Sequence, residues 1–240
     1  MRAATESARR RTVASLELGV LLALVGGFLD AYSFIHLGGV FANAQTGNVV
    51  LFGVEAAQGH WGSAVRHLPP IVAFAIGVTV AETLRRPRMA AVVRSPARAA
   101  LVLEILVLVA AGFLSSVVPA DALVVVIAFV ASVQVSSFRK LLDWPYNTTM
   151  TTGNLRSAAQ ALYVAVADRD AGSARKARSF AVIIVSFLTG GFLGGLLTLR
   201  LGAHAIWICA VVLLLALGLF VIDVRRNILD LRRRTSRRRR

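Results

Sequence analysis

The sequence predicts an all-α integral membrane protein with six transmembrane helices, arranged as two inverted three-helix repeats that each carry a Thr-Gly-Asn half-helix. Three observations predict it. The 240 residues are 57% hydrophobic with a mean hydropathy of +0.70, a balance that a water-facing surface rarely allows. Cation-rich and cation-poor connections alternate along the chain. "FANAQTGNVVLFG" at 41–53 finds an echo in "MTTGNLRSAAQAL" at 150–162, and no other Thr-Gly-Asn occurs.

Six apolar windows stand out, at about Leu16–Gly38, Leu68–Leu84, Ala99–Val118, Ala122–Phe138, Ser179–Leu199 and Ala203–Ile222. Most approach the roughly 20 residues a helix needs to cross a bilayer core, the second and fourth being shorter and more upright. Helices are expected because an open sheet leaves backbone polar groups unpaired in lipid. The first window is too long for a cleaved signal and carries Asp30, so it reads as a retained helix.

Charge orients these windows. The net charge is +15, and the cations lie outside the windows. Arg9 to Arg11 precede the first; Arg85, Arg86, Arg88, Arg94 and Arg98 follow the second; Arg139 to Arg178 separate the fourth and fifth; and the tail ends "LRRRTSRRRR". The other connections hold Arg66, none and Arg200. With six spans all rich segments share one side, which predicts a bacterial cytoplasmic (inner) membrane protein with both termini cytoplasmic. The expected organisation is a basic tail at 1–15, a first repeat at 16–118, a second at 119–224 and a polybasic tail at 225–240. The tails suit anionic lipid head groups rather than nucleic acid, since no aromatic or helix-turn-helix context accompanies them.

Aligning the two Thr-Gly-Asn segments also matches Tyr32 with Phe138, Ala97 with Ala203 and Gly112 with Gly218. A small insertion adds Phe74 with Phe187 and Gly77 with Gly190. Three spans per repeat is odd, so the second copy must be inverted across the membrane. Thr46 and Thr152 are expected as helix N-caps, with Gly47 and Gly153 permitting close backbone approach. The half-helices would then bring Asn48 and Asn154 to a shared midplane region.

"GGFLDAYSFIHLGGVFANAQTGNVVLFG" resembles the start of the YoaK-like family of small bacterial membrane proteins, whose function is unknown. Ser132–Phe138 followed by Thr148–Asn154 resembles the family's second hallmark. Gln134 matches, while Val135 and Ser136 stand where the family usually has Asn and Ala. The resemblance covers about residues 18–222 and implies a multi-span inner-membrane protein with transport as the expected role and no named substrate.

Asp30 is the most informative single residue, because an ionised carboxylate at a span centre costs about 2.5–3.5 kcal/mol on insertion scales. Its functional reading is coupling to a proton or cation; its structural reading is a hydrogen bond to Gln134, Ser136 or Asn154. Glu104 lies two turns from the cytoplasmic end and is expected to snorkel or to pair with Arg98 or Arg94. Gln45 joins the first polar motif, and Cys209 reads as a small buried residue. Gly190 with Gly194 and Gly191 with Gly195 offer small faces for helix packing, within the chain or in a homodimer.

Enzyme motifs are lacking: the four histidines have no metal-ligand spacing, and there is no Walker, nucleophile-elbow or dinucleotide fingerprint. The expected function is therefore secondary transport of a small solute without a cofactor. Asp30 would couple the ion, and Thr46, Asn48, Gln134, Thr152 and Asn154 would hold the solute. The rivals are a passive channel and a non-transport membrane partner.

Overall fold

The computed structural model describes residues 12–89, 93 and 95–237, with side chains described through Arg226. The Arg9–Arg11 run, Arg94 and the side chains of the terminal arginines lie outside the described residues. Helices dominate: α1 (Leu16–His36), α2 (Gln45–Ala57), α3 (Trp61–Val65), α4 (Leu68–Leu84), α5 (Pro96–Leu114), α6 (Ala120–Ser137), α7 (Thr151–Ala167), α8 (Ala171–Leu201) and α9 (Ile206–Arg237). A hairpin of two-residue strands, β1 (Lys140–Leu141) and β2 (Trp144–Pro145), interrupts the helices between α6 and α7.

Local chemistry sets the helix starts. Ser15 caps α1 by accepting the Leu18 N–H at 3.4 Å. Prolines open α4 and α5, where their missing N–H costs nothing. Asp170 caps α8, accepting from Gly172 N and Ser173 N.

Five stretches are long and apolar enough to cross a membrane by length and composition: Leu16–His36, Trp61–Leu84, Pro96–Leu114, Ala120–Ser137 and Ala171–Arg226. The last contains α8 and α9, which meet at a 3₁₀ turn opened by Gly202 (φ 57°). The second begins earlier than the hydropathy window, because α3 extends it. The chain is thus an all-α membrane protein; how many passes it makes is taken up under the proposed function.

Packing is organised as two parallel pairs, α1 with α8 and α4 with α6. In the first, Gly190 sits against Leu24, and Gly194 against Phe28. In the second, Gly77 sits against Phe129 and Ser132, and Arg85 at the end of α4 donates to the Ser136 carbonyl at the end of α6. α9 runs antiparallel to both α1 and α5: Tyr32 donates to the Ala203 carbonyl and Trp207 to the Val109 carbonyl at one end, while Leu18 and Arg98 lie near Phe220 at the other. The main core lies among α1, α5, α6 and α9, from Leu22, Phe28, Leu101, Leu108, Ile127 and Leu213. Glycines 190 and 194 therefore serve contacts within the chain.

One end of the bundle gathers Arg85, Arg98, Arg139, Lys140 and Arg226. Glu82 there pairs with Arg85 and Arg139. The opposite end carries the Arg66–Asp121 pair at 2.7 Å. The alternation of cations along the sequence thus becomes a difference between two ends.

Two outcomes test this packing. A Cβ at Gly194 would lie 2.7 Å from Phe28 Cα, and one at Gly190 would run into the Leu24 carbonyl oxygen. Gly190→Ala should therefore destabilise by about 1–3 kcal/mol through overpacking, whereas Gly218→Ala, with open space around it, should not; denaturant unfolding in detergent compares them. Hydrogen bonds from Ser173 and then Gly172 hold the Asp170 carboxyl below its usual range. A depressed folded value means the cap contributes above the unfolded carboxylate range and is lost as pH falls through the folded value. Amide exchange in the first turn of α8 should accelerate there, and Asp170→Ala should remove that dependence.

Candidate functional site

Two polar loops fold back into the bundle, and their bonds define the site. After α1 the chain turns at Gly38 and Gly39, both with positive φ near 80°, and runs back beside the helix it has just left. Ala42 N then donates to Ser33 Oγ at 2.9 Å, Asn43 N to Asp30 Oδ1 at 2.8 Å, and Asn43 Nδ2 to the Gly26 carbonyl at 3.2 Å. Each step reaches a lower turn of α1. α2 begins at this depth, at Gln45. After α6 the hairpin brings the second loop back in the same manner, so that Thr148 Oγ1 donates to Gln134 Oε1 at 3.1 Å.

The loops are held by the same bonds. In the first, Phe41 N donates to Asn48 Oδ1 at 2.9 Å and Asn48 Nδ2 donates to the Phe41 carbonyl at 2.8 Å. In the second, Asn147 N donates to Asn154 Oδ1 at 3.1 Å and Asn154 Nδ2 donates to the Asn147 carbonyl at 2.6 Å. A second correspondence concerns the N–H groups at the helix starts. Asp30 Oδ1 accepts from Asn43 N and Ala44 N, and Asn147 Oδ1 accepts from Thr149 N and Met150 N. All four residues of the second set lie 106 positions after their counterparts, the spacing of the two motifs.

The loops also meet. Gly26 accepts the Asn43 amide, and a Cβ there would lie 3.0 Å from the Thr148 carbonyl oxygen and 3.2 Å from Thr149 Cγ2. Glycine at this position lets both loops reach one turn of α1. From Asp30 a polar thread runs through Asn43 to Gly26, continues across the packing contact of Gly26 with Thr148, and passes by hydrogen bond to Gln134, whose amide lies within hydrogen-bonding reach of Glu104.

The sequence-predicted residues divide accordingly. Asp30, Asn48, Gln134 and Asn154 are all buried, whereas Thr46 and Thr152 are exposed. Thr46 and Thr152 are not N-caps: α2 starts at Gln45 and α7 at Thr151, so each threonine sits within its first turn. Asp30 and Asn147 cover the N–H groups instead. Asp30 bonds to the backbone of its own half, not to Gln134, Ser136 or Asn154. Gln45 joins the first motif as expected, donating to the Ala42 carbonyl and accepting from Asn48. Glu104 does not snorkel and makes no ion pair with Arg98; it is 1% exposed, beside Gln134. Cavities of about 270 and 170 Å³ lie at the arginine-rich end, and none of the six sequence-predicted site residues lines either.

Sequence reasoning missed Asn43, Asn147 and Thr148, because single loop amides and hydroxyls carry no periodic signal. It also missed His67, 3% exposed, whose Nδ1 lies 3.4 Å from Asn48 Oδ1 and whose Nε2 lies 3.4 Å from Glu55 Oε2. The Asn48 and Glu55 spacing on one face of α2 was the available clue. Removing either bracketing amide, by Asn48→Ala or Asn154→Ala, should leave backbone groups of Phe41 or Asn147 unpaired and cost about 1–3 kcal/mol. Faster amide exchange confined to the affected loop would be the signature.

Comparison with known proteins places this arrangement. The chain is 28% identical over 156 residues to the UPF0700 transmembrane protein YoaK of Bacillus subtilis (strain 168), covering 64% of this chain and 67% of that protein. No solved structure matches it. A family model described as "Protein of unknown function (DUF1275)" matches residues 18–219, which include both loops and run from the first turn of α1 into the first half of α9. The protein therefore belongs to the DUF1275 family, the YoaK-like membrane proteins that its Asp30 and Thr-Gly-Asn segments resemble.

Proposed function

We propose that the protein is a secondary transporter of a small solute, working by alternating access between two inverted three-helix halves. The observation that carries this reading is the pair of loops held by the same hydrogen bonds at the same 106-residue spacing. Helix pairing supports it: under the repeat α1 corresponds to α6 and α4 to α8, so the two parallel pairs are each other's counterparts. Counting α8 and α9 as separate passes gives six spans. The arginine-rich end is then the cytoplasmic one, with both termini there, in the inner membrane of a bacterium. Inverted repeats with broken helices at mid-depth are the architecture in which such transporters bind their cargo.

Within this reading Asn48 and Asn154 hold the backbone of the site while Thr46 and Thr152 present hydroxyls at the starts of the half-helices. The helix N-termini favour a solute bearing carboxylate, phosphate or carbonyl oxygens. Gln134 shapes the shared interior. Asp30 is the coupling residue, and the comparison between halves says why. The second loop satisfies the equivalent pair of N–H groups with a neutral amide, Asn147, so structure alone does not require a carboxylate at this place. A carboxylate that holds the first loop when ionised and loosens it when protonated ties loop position to a proton or cation. Membrane lipid surrounds the exposed apolar faces, which include Val50, Val72, Leu106 and Leu188.

The test begins with a metabolite comparison of cells with and without the protein, followed by flux of the differing compound into proteoliposomes. Uphill accumulation under an imposed proton gradient is expected. Asp30→Asn should abolish accumulation while leaving downhill exchange measurable. Strictly downhill flux that is indifferent to this substitution would identify a channel instead, and absence of any flux would identify a non-transport membrane partner.

A further inference from the structure

Glu104 plays no part in the transport reading above, yet it is the most enclosed carboxylate described. It lies in the apolar run "LVLEILVL" of α5, 1% exposed, and its Oε2 has no hydrogen-bond partner. Gln134 faces it from α6, and α9 packs on the same helix. His204, on the 3₁₀ turn that also touches α5, meets Trp207 at a tilted angle of 58° beside Val109, more than a helical turn from Glu104. Arg98, on the same helix, is exposed and lines the cavity near Phe220. Among the described residues no cationic side chain forms an ion pair with Glu104.

A carboxyl oxygen left without a partner in an apolar interior needs a proton or a cation to complete it. Donor chemistry decides between these. No group of three or more His, Cys, Asp or Glu gathers among the described residues to hold a metal ion. One carboxyl facing one amide suits a proton, which needs a single acceptor oxygen. We infer that Glu104 is a second proton-binding site, which serves the second loop as Asp30 serves the first.

The connections give this assignment its consequence. Asp30 reaches the first loop directly, through Asn43 N and Ala44 N. Glu104 reaches the second loop through one intermediary, since Gln134 lies between it and Thr148 Oγ1. Each re-entrant loop is thereby tied to one carboxyl. When Oε2 takes a proton from water, the carboxyl becomes neutral and a donor appears where an acceptor stood. Gln134 is a positioning residue: its amide carries that change to Thr148. The two carboxyls also lie at different depths, Asp30 towards the Tyr32–Ala203 end and Glu104 towards the arginine-rich end. A proton can therefore be held on either side of the polar thread.

The assignment goes beyond the transport reading and stands without it, because proton binding can be observed with no solute present. The full chain, reconstituted in vesicles of phosphatidylcholine and phosphatidylglycerol, is titrated from acid to alkaline pH while its carboxyl bands are followed by infrared difference spectroscopy. The expected result is a protonated-carboxyl band that shifts in D₂O, disappears as pH rises, and is lost in Glu104→Gln. Glu104→Asp, which keeps the acid should the amide variant fold poorly, should move the band rather than delete it. Gln134→Leu should shift the titration midpoint. A wild-type band set unchanged in Glu104→Gln, or a Glu104 band that persists at every pH, overturns the proton site. An unmoved midpoint in Gln134→Leu overturns the link to the second loop.

Discussion

Backbone hydrogen bonding is the constraint on which the rest of the structure depends. Irregular chain within an apolar bundle carries N–H and C=O groups that lipid does not satisfy, so neighbouring protein must. Here a small set of side chains does so. Asn48 and Asn154 each turn one amide on a residue seven positions earlier, accepting its N–H and donating to its C=O. Asp30 and Asn147 take the next pair of N–H groups. With those groups paired, both loops can lie beside α1 without water. Loop depth, the starting points of α2 and α7, and their meeting at Gly26 follow from this pairing.

The halves solve the same backbone problem with different chemistry. A carboxylate on α1 serves the first loop; an amide within the loop itself serves the second. The short hairpin makes room for that difference by returning the chain towards α6, with Leu142 N donating to the Ala14 carbonyl and Tyr146 N to the Arg139 carbonyl. On the first side, where no hairpin precedes the loop, buried His67 touches both Asn48 and Glu55.

Much of the fold was legible because lipid makes composition speak plainly. Apolar runs marked α1, α4, α5 and α6 to within a few residues, and cation spacing anticipated that Arg85, Arg98 and Arg139 would share an end. The glycine pairs pointed to close helix contacts, which α1 and α8 make. The site was legible in outline only. Thr-Gly-Asn drew attention to the correct loops, but the obvious capping residues, Thr46 and Thr152, lie one position inside their helices. The partner of Asp30 depended on where Gly38 and Gly39 send the chain, which no periodicity encodes. Glu104 was misread because snorkelling is the usual fate of a carboxylate two turns from a helix end. Only the packing of α6 and α9 against α5 turns it inward.

The pairing of α1 with α8, and of α4 with α6, has a consequence for how the chain matures. Each pair takes one member from the first half and one from the second, so neither half is a self-sufficient folding unit. Gly27 lies against Phe187, about 160 residues later in synthesis. At ordinary translation speeds that separation is roughly 10–30 s, long compared with helix formation itself. During this interval α1 already sits in lipid with Asp30 and its glycine face uncovered, supported only by its own returning loop. The bonds that Asn43 N and Ala44 N donate to Asp30 span only 13 and 14 residues, so they can form early and give the carboxylate partners before the closing helix arrives.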